Sequence, residues 1–254
     1  SIPLEGEGRF GRQYTKNGVL YQIGQLNSRM CDYDNVDGWN TLPYLGLGEL
    51  YCDYGTYDYY ITAPREMIVY GSGDLQNPNE VLTAAEIKRL SLAANSDKTV
   101  TIIGADEAMK PSARPAARGN LTWHFTMQHT RDVGWAAGKG MIWDAARINL
   151  PSGRKALAMS CYPEESVGDT AWTRSTEYLK ASIEIYSKLF FEYPWNHAVS
   201  SAGITGGMEY PGMIFDNYHE TKARLWFLIT HEIGHNWYPM IVGNNESKYM
   251  WQDE

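Results

Sequence analysis

His231-Glu232-Ile233-Gly234-His235, running on through Asn236 and Asp253 to Glu254, is the stretch on which the reading of this chain turns. In a helix, residues four apart stand about 40° round the axis and roughly 6 Å along it. His231 and His235 therefore project their imidazoles to one side, where they can share a metal ion. Glu232 falls on the adjoining face, able to reach a bound water without being a ligand. Three protein ligands plus a water make the open arrangement of a catalytic zinc site, so a third ligand should follow. Glu254, the nineteenth residue after His235, is the candidate. The bland alternative is a pair of core histidines hydrogen-bonded to carboxylates, since polar rings on a buried helix need partners.

The flanking residues predict what carries the motif. Glu220 to about Tyr238 is apolar nearly all round through Leu225, Trp226, Phe227, Leu228 and Ile229, the pattern of a buried central helix. Pro239 has no N–H to give to the carbonyl of His235, so this helix should end or kink just past the second histidine. Gly243-Asn244-Asn245 turns the chain, and a second helix over 246–254 would return Glu254 to the metal. Upstream, Leu179, Ile183, Tyr186 and Phe190 form one face of a helix from about Thr170 to Phe191, which Pro194 terminates.

Before residue 163 the texture differs. From Gly8 to about Tyr70 the chain is rich in Tyr, Thr, Val and Ile and is broken at short intervals by turn residues, which predicts short antiparallel strands. Asn17-Gly18 and Asp37-Gly38 read as hairpin turns. Strands are expected at 57–62, 67–70, 121–127, 141–148 and 154–162, with Trp123, Phe125 and Met127 facing inward. A helix is expected over 80–94, and residues 95–120 read as a loop. His124 and His129 read as ordinary surface or satisfied histidines. The shift in period near Pro163-Glu164-Glu165 sets the expected domain boundary, dividing the chain into residues 1–163 and 164–254.

Composition excludes several partners. The chain is 43% hydrophobic over 254 residues, enough to bury a substantial core. A net charge of -8 with no basic run interleaved with aromatics argues against nucleic acid. The longest apolar run is about five residues, far short of the roughly 20 that span a bilayer, so no transmembrane segment is expected. The N-terminus has no apolar leader, which leaves localisation open. Cys31, Cys52 and Cys161 include no C-x-x-C pair and read as buried free thiols.

On its motifs the chain resembles the M1 aminopeptidases, zinc enzymes of the gluzincin group. Their signature is H-E-x-x-H followed by 18 residues and a Glu, as His231 to His235, then Asn236 to Asp253, then Glu254 stand here. Their second signature, G-x-M-E-N, is matched by Gly206-Gly207-Met208-Glu209-Tyr210, with Tyr210 in place of the usual Asn. The resemblance implies a mixed β and α fold, in which part of an antiparallel, saddle-like β domain (1–163) precedes the first part of a thermolysin-like α+β catalytic domain (164–254). It implies one Zn2+ per chain on His231, His235 and Glu254, with Glu232 as general base. Glu209, with Gly206, Gly207, Met208 and a strand-borne Gln25, would hold the free N-terminus of a peptide substrate.

The function so implied is hydrolysis of the N-terminal peptide bond. A zinc endopeptidase or dual-activity hydrolase, and a non-catalytic peptide-binding module, are the alternatives. The family continues past the third ligand and contributes a Tyr that hydrogen-bonds the tetrahedral intermediate. The remainder of the catalytic domain is therefore expected downstream, and this piece alone is expected to be weakly active.

Overall fold

Glycine turns order the first half of the chain. In the computed structural model, which describes residues 11–26, 28–42 and 51–253, Gly18 adopts a φ of +139° and joins two antiparallel strands, β1 (Gly11–Thr15) and β2 (Gly18–Ile23). Gly38, with φ +77°, does the same for β3 (Tyr33–Asp34) and β4 (Gly38–Trp39). Both hairpins form where the Asn-Gly and Asp-Gly pairs predict them, with each glycine as the first residue of the second strand and Lys16-Asn17 and Asn35-Val36-Asp37 as the connecting loops. The break expected at Pro64 lies just after it: Pro64 ends β5 (Gly55–Pro64), Arg65-Glu66 makes the turn into β6 (Met67–Gly71), and β7 (Asp74–Leu75) follows.

The helix expected over 80–94 is two pieces, α1 (Pro78–Val81) and α2 (Ala84–Ala93). Thr83 divides them. Its hydroxyl accepts the Glu86 N–H while the Glu86 carboxylate accepts the Thr83 N–H, a capping box that starts a new helix. The loop expected at 95–120 contains a strand, β8 (Val100–Ile103), whose Ile102 and Ile103 are buried.

β9 (Asn120–Thr130) buries Trp123, Phe125 and Met127 as its alternation requires, while His124 stacks on Tyr60 and bonds Asp58. Then come β10 (Trp135–Lys139), β11 (Ile142–Asn149), β12 (Lys155–Tyr162), α3 (Ser175–Leu189), β13 (His197–Gly203), β14 (Met208–Tyr210), β15 (Met213–Asn217), α4 (Lys222–Gly234) and α5 (Glu246–Tyr249).

Among the described residues the strands form a four-stranded antiparallel sheet in the order β1-β2-β10-β6, a three-stranded one, β5-β9-β7, and the β3-β4 hairpin. The sheet that positions the site has six strands in the order β14-β15-β13-β12-β11-β8. It is mixed: β13 runs parallel to both β12 and β15; α3 is the crossover from β12 to β13, β14 lies in the connection from β13 to β15, and α4 follows the last strand. The boundary expected at residues 163–164 falls inside this sheet, between β12 and β13. The change of period there marks α3, the crossover helix between β12 and β13.

β12 shows how the sheet separates two cores. Leu157, Met159 and Cys161 face a cluster with Trp123, Phe125, Val199 and Phe215, while Ala156, Ala158 and Tyr162 face one with Leu179, Ile183, Leu225 and Ile229. Burying each such Leu or Ile is worth about 1.5–3 kcal/mol. That anchors α3 and α4 to one face.

α4 is shorter than its sequence suggests and is not buried all round. It ends at Gly234, and Trp226 and Phe227 are about half exposed while Leu225, Leu228, Ile229 and Ile233 pack inward. Five consecutive apolar residues, Leu225 to Ile229, cannot all face one way on a 3.6-residue period. No helix is long and apolar enough to cross a membrane among the described residues.

Candidate active site

The two histidines converge as their spacing requires. His231 sits in the last turn of α4 and His235 caps it, its N–H still reaching the His231 carbonyl. Their Nε2 atoms stand 3.2 Å apart with the rings nearly perpendicular, at 85°. The helix ends before Pro239, and the His235 carbonyl accepts the Met240 N–H at 3.0 Å instead.

The other nitrogen of His235 is held from behind. Its Nδ1 lies 3.1 Å from the Tyr238 carbonyl and 3.2 Å from Oδ1 of Asp253. Both are acceptors, so Nδ1 keeps a proton and Nε2 is the nitrogen that would give up its own to a metal and turn its lone pair towards the space it shares with His231. Burial lowers the His235 pKa, but the bond to Asp253 and the nearby charges of Glu209, Asp253 and Glu232 outweigh it and hold the pKa at about 9.

Two imidazole nitrogens at this separation suit adjacent corners of a tetrahedral ion with bonds of about 2.0–2.1 Å, which would set them roughly 3.4 Å apart. A carboxylate behind a ligating histidine is the support such ligands usually have. The donor chemistry therefore fits zinc. A second set, Glu209, Glu232 and His235, also brings ligand atoms within 4.8 Å of one another. The imidazole pair is the stronger grip, because both Nε2 atoms point into one space and one ring is locked from behind. Glu254, the expected third ligand, lies outside the described residues.

Glu232 is buried beside the pair. Its carboxylate occupies the place where Gly207 lacks a side chain: a Cβ there would stand 2.3 Å from Oε1. Gly206 has open space around it, so the corner between β13 and β14 is accessible from outside. Glu209 follows on β14, opposite Ile214, and is buried near His235. Met208, also expected at the substrate site, turns its side chain into the core between the sheets, as does Tyr210. Alternation along β14 gives only Glu209 to the site side, so Met208 can contribute backbone alone.

Gln25 is not on a strand as expected. It lies on a bend after β2 with a φ of +53°, and its Nε2 is buried without a hydrogen bond. Its neighbour Gly24 rests on the Tyr210 ring, where a Cβ would stand 2.0 Å from the hydroxyl oxygen. The bend is thereby docked one residue from Glu209.

Two residues that the sequence did not single out complete the arrangement. Asn236 is fully buried; its Oδ1 accepts the Gly212 N–H at 2.9 Å and its Nδ2 donates to the Tyr210 carbonyl at 3.2 Å. The end of α4 is thus tied to the strand that bears Glu209. Asp253 is the other. The only sequence signal for either is a polar residue directly adjoining an expected ligand.

No protein-family model matches the chain, and no curated protein matches it. Solved structures do. Aminopeptidase A of Legionella pneumophila, in complex with aspartic acid, superposes with a TM-score of 0.52 and 15% identity over 94% of this chain and 25% of its own. An M1 zinc metallopeptidase from Deinococcus radiodurans, bound to a Tyr-Ser-Ala substrate, matches at TM-score 0.46 and 14% identity over 74% of this chain and 35% of its own. The fold of this chain is like part of that of the Legionella aminopeptidase. The chain spans about a quarter of the length of the first and a third of the second.

Proposed function

We propose that this chain carries the metal-binding and amine-recognising part of a zinc aminopeptidase of the M1 kind, the end of its β domain leading into a thermolysin-like catalytic segment. The observation that carries this reading is the 3.2 Å approach of the His231 and His235 Nε2 atoms, with the carboxylates of Glu232 and Glu209 close to His235. A zinc ion on His231, His235 and Glu254 would supply a Lewis acid and bring the pKa of a bound water towards neutrality.

The chain's own groups divide the remaining work. Glu232 accepts the proton of the attacking water and passes it to the leaving amine nitrogen. Packed into the Gly207 notch, it has one place to be, and positioning of this kind is worth orders of magnitude in rate. Glu209 pairs with the α-ammonium of the substrate as a charge-assisted hydrogen bond, with Gln25 as an additional polar partner. Gly206 and the Met208 backbone let an extended peptide approach. Pairing a fixed carboxylate with the terminal amine sets the cut one residue from the substrate's N-terminus.

Glu232→Gln tests the assignment of the base. The variant should keep its bound zinc and lose turnover of an aminoacyl arylamide in the intact enzyme. Turnover at the wild-type rate would remove Glu232 from the mechanism.

A further inference from the structure

Two of the three cysteines face each other across an antiparallel bridge between two extended segments. Cys31 and Cys52 are partners in an isolated antiparallel bridge, and the Met30 carbonyl accepts the Asp53 N–H at 3.1 Å. A bond between the residues before and after the pair, rather than within it, makes Cys31–Cys52 a non-hydrogen-bonded pair. Such pairs have the narrower spacing, with Cα atoms about 4.5 Å apart and side chains on the same face. That lies at the short end of the range a disulfide spans, about 4.4–6.8 Å. The hydrogen-bonding pattern alone thus brings the two β-carbons into bridging range.

Exposure differs between them in a useful way. Cys31 is exposed, whereas Cys52 is buried and its thiol donates to the Arg131 carbonyl at 3.2 Å. Cys161 is fully buried on β12 in the core with Trp123 and Phe125.

We propose that Cys31 and Cys52 are a redox-sensitive pair that closes a cross-strand disulfide when a low-molecular-weight disulfide is present. The Cys31 thiolate attacks one sulfur of that disulfide, forming a mixed disulfide and releasing one small thiol. Cys52, turning from the Arg131 carbonyl, attacks the Cys31 sulfur and releases the second. The protein gives up two electrons and two protons, and both reappear in the two small thiols.

The bond would act on the support of the candidate site. The segment it closes reaches the connection between His235 and Asp253: Asn40 Nδ2 donates to Ser247 Oγ at 3.5 Å, and Lys248 pairs with Asp37. Just past Cys52, the Tyr54 hydroxyl donates to the Ile241 carbonyl at 2.5 Å. Arg131 fastens the same place, donating to the Cys52 carbonyl at 3.0 Å while its guanidinium covers the Tyr54 ring. A disulfide there shortens the free loop of the unfolded chain and holds this strap in place.

The test uses the intact protein, reduced and then exposed to excess oxidised glutathione, quenched in acid, denatured and alkylated. No Lys or Arg lies between the two cysteines, so trypsin leaves both on the peptide from Met30 to Arg65. That peptide should take no label and have lost the mass of two hydrogens, while Cys161 labels fully. Cleavage after Glu49 should leave the halves joined until reductant is added. The melting temperature should rise by several degrees on oxidation in the wild type and stay put in Cys31→Ser. Full labelling of both cysteines would overturn the proposal. So would glutathione retained on Cys31 with Cys52 still free to label, or a Cys31 bridge between two chains.

Discussion

The carboxylate of Glu232 fills the space that a side chain on Gly207 would need, with Oε1 2.3 Å from where a Cβ would stand. The glycine is thus the mould for the proposed base. Gly207→Ala must push Glu232 out of that position, whereas His231 and His235 are anchored elsewhere. Turnover should fall about a hundredfold or more with zinc content unchanged. Wild-type turnover in Gly207→Ala would mean that the seat of Glu232 is not needed.

Asn236 joins the second histidine to the strand of Glu209 through two buried hydrogen bonds. Asn236→Ala leaves the Gly212 N–H and the Tyr210 carbonyl without these partners and should cost about 1–3 kcal/mol of stability. A purely structural residue would lower only stability. If the tie positions Glu209, KM for a free-amine substrate should rise more than kcat falls, and preference for a free over a blocked N-terminus should narrow.

Asp253 backs His235 at 3.2 Å. Carboxylates in this position typically contribute 10–100-fold to metal affinity. Asp253→Ala should therefore weaken zinc binding by about that factor in a competition with a chelator, while Asp253→Asn, which keeps an acceptor oxygen, should lose less. Equal affinity in all three proteins would assign Asp253 no part in holding the metal.

Asp216, on β15 at the far end of α4 from the histidines, gives a pH dependence separable from catalysis. Burial pushes its pKa up to about 8, with Glu220 adding to the rise and the Ser200 hydroxyl opposing it. Unfolded, it titrates near 3.9. Between these values the folded protein keeps a proton that the unfolded chain has released, so this group's contribution to stability is lost as pH rises from about 4 to 8. Asp216→Asn removes that titration. The variant should melt several degrees above the wild type at pH 8 and close to it at pH 4; a wild-type slope in the variant would assign the dependence to other groups.

Much of this was legible because some sequence signals are strictly local. The H-E-x-x-H spacing sets two rings on one helical face whatever surrounds them, and the Asn-Gly and Asp-Gly turns carry their own backbone requirement. β10 and β13 were not legible. Trp135-Ala136-Ala137-Gly138-Lys139 and His197-Ala198-Val199-Ser200-Ser201-Ala202-Gly203 are rich in small residues with low strand propensity. They are strands because interior positions between other strands supply the hydrogen bonds and leave little room: a Cβ on Gly203 would meet the Gln22 side chain. Asn236 and Asp253 stayed hidden for a related reason. Their partners, Tyr210, Gly212 and His235, meet them only through tertiary packing.

The most direct test of the central claim compares one peptide with its N-terminus free and N-acetylated, in the intact zinc-loaded enzyme, with products identified by mass spectrometry. If Glu209 selects the terminal amine, the free peptide loses one residue at a time from that end and the acetylated one is left intact. Cleavage of both at the same internal bond would contradict the account and make this an endopeptidase.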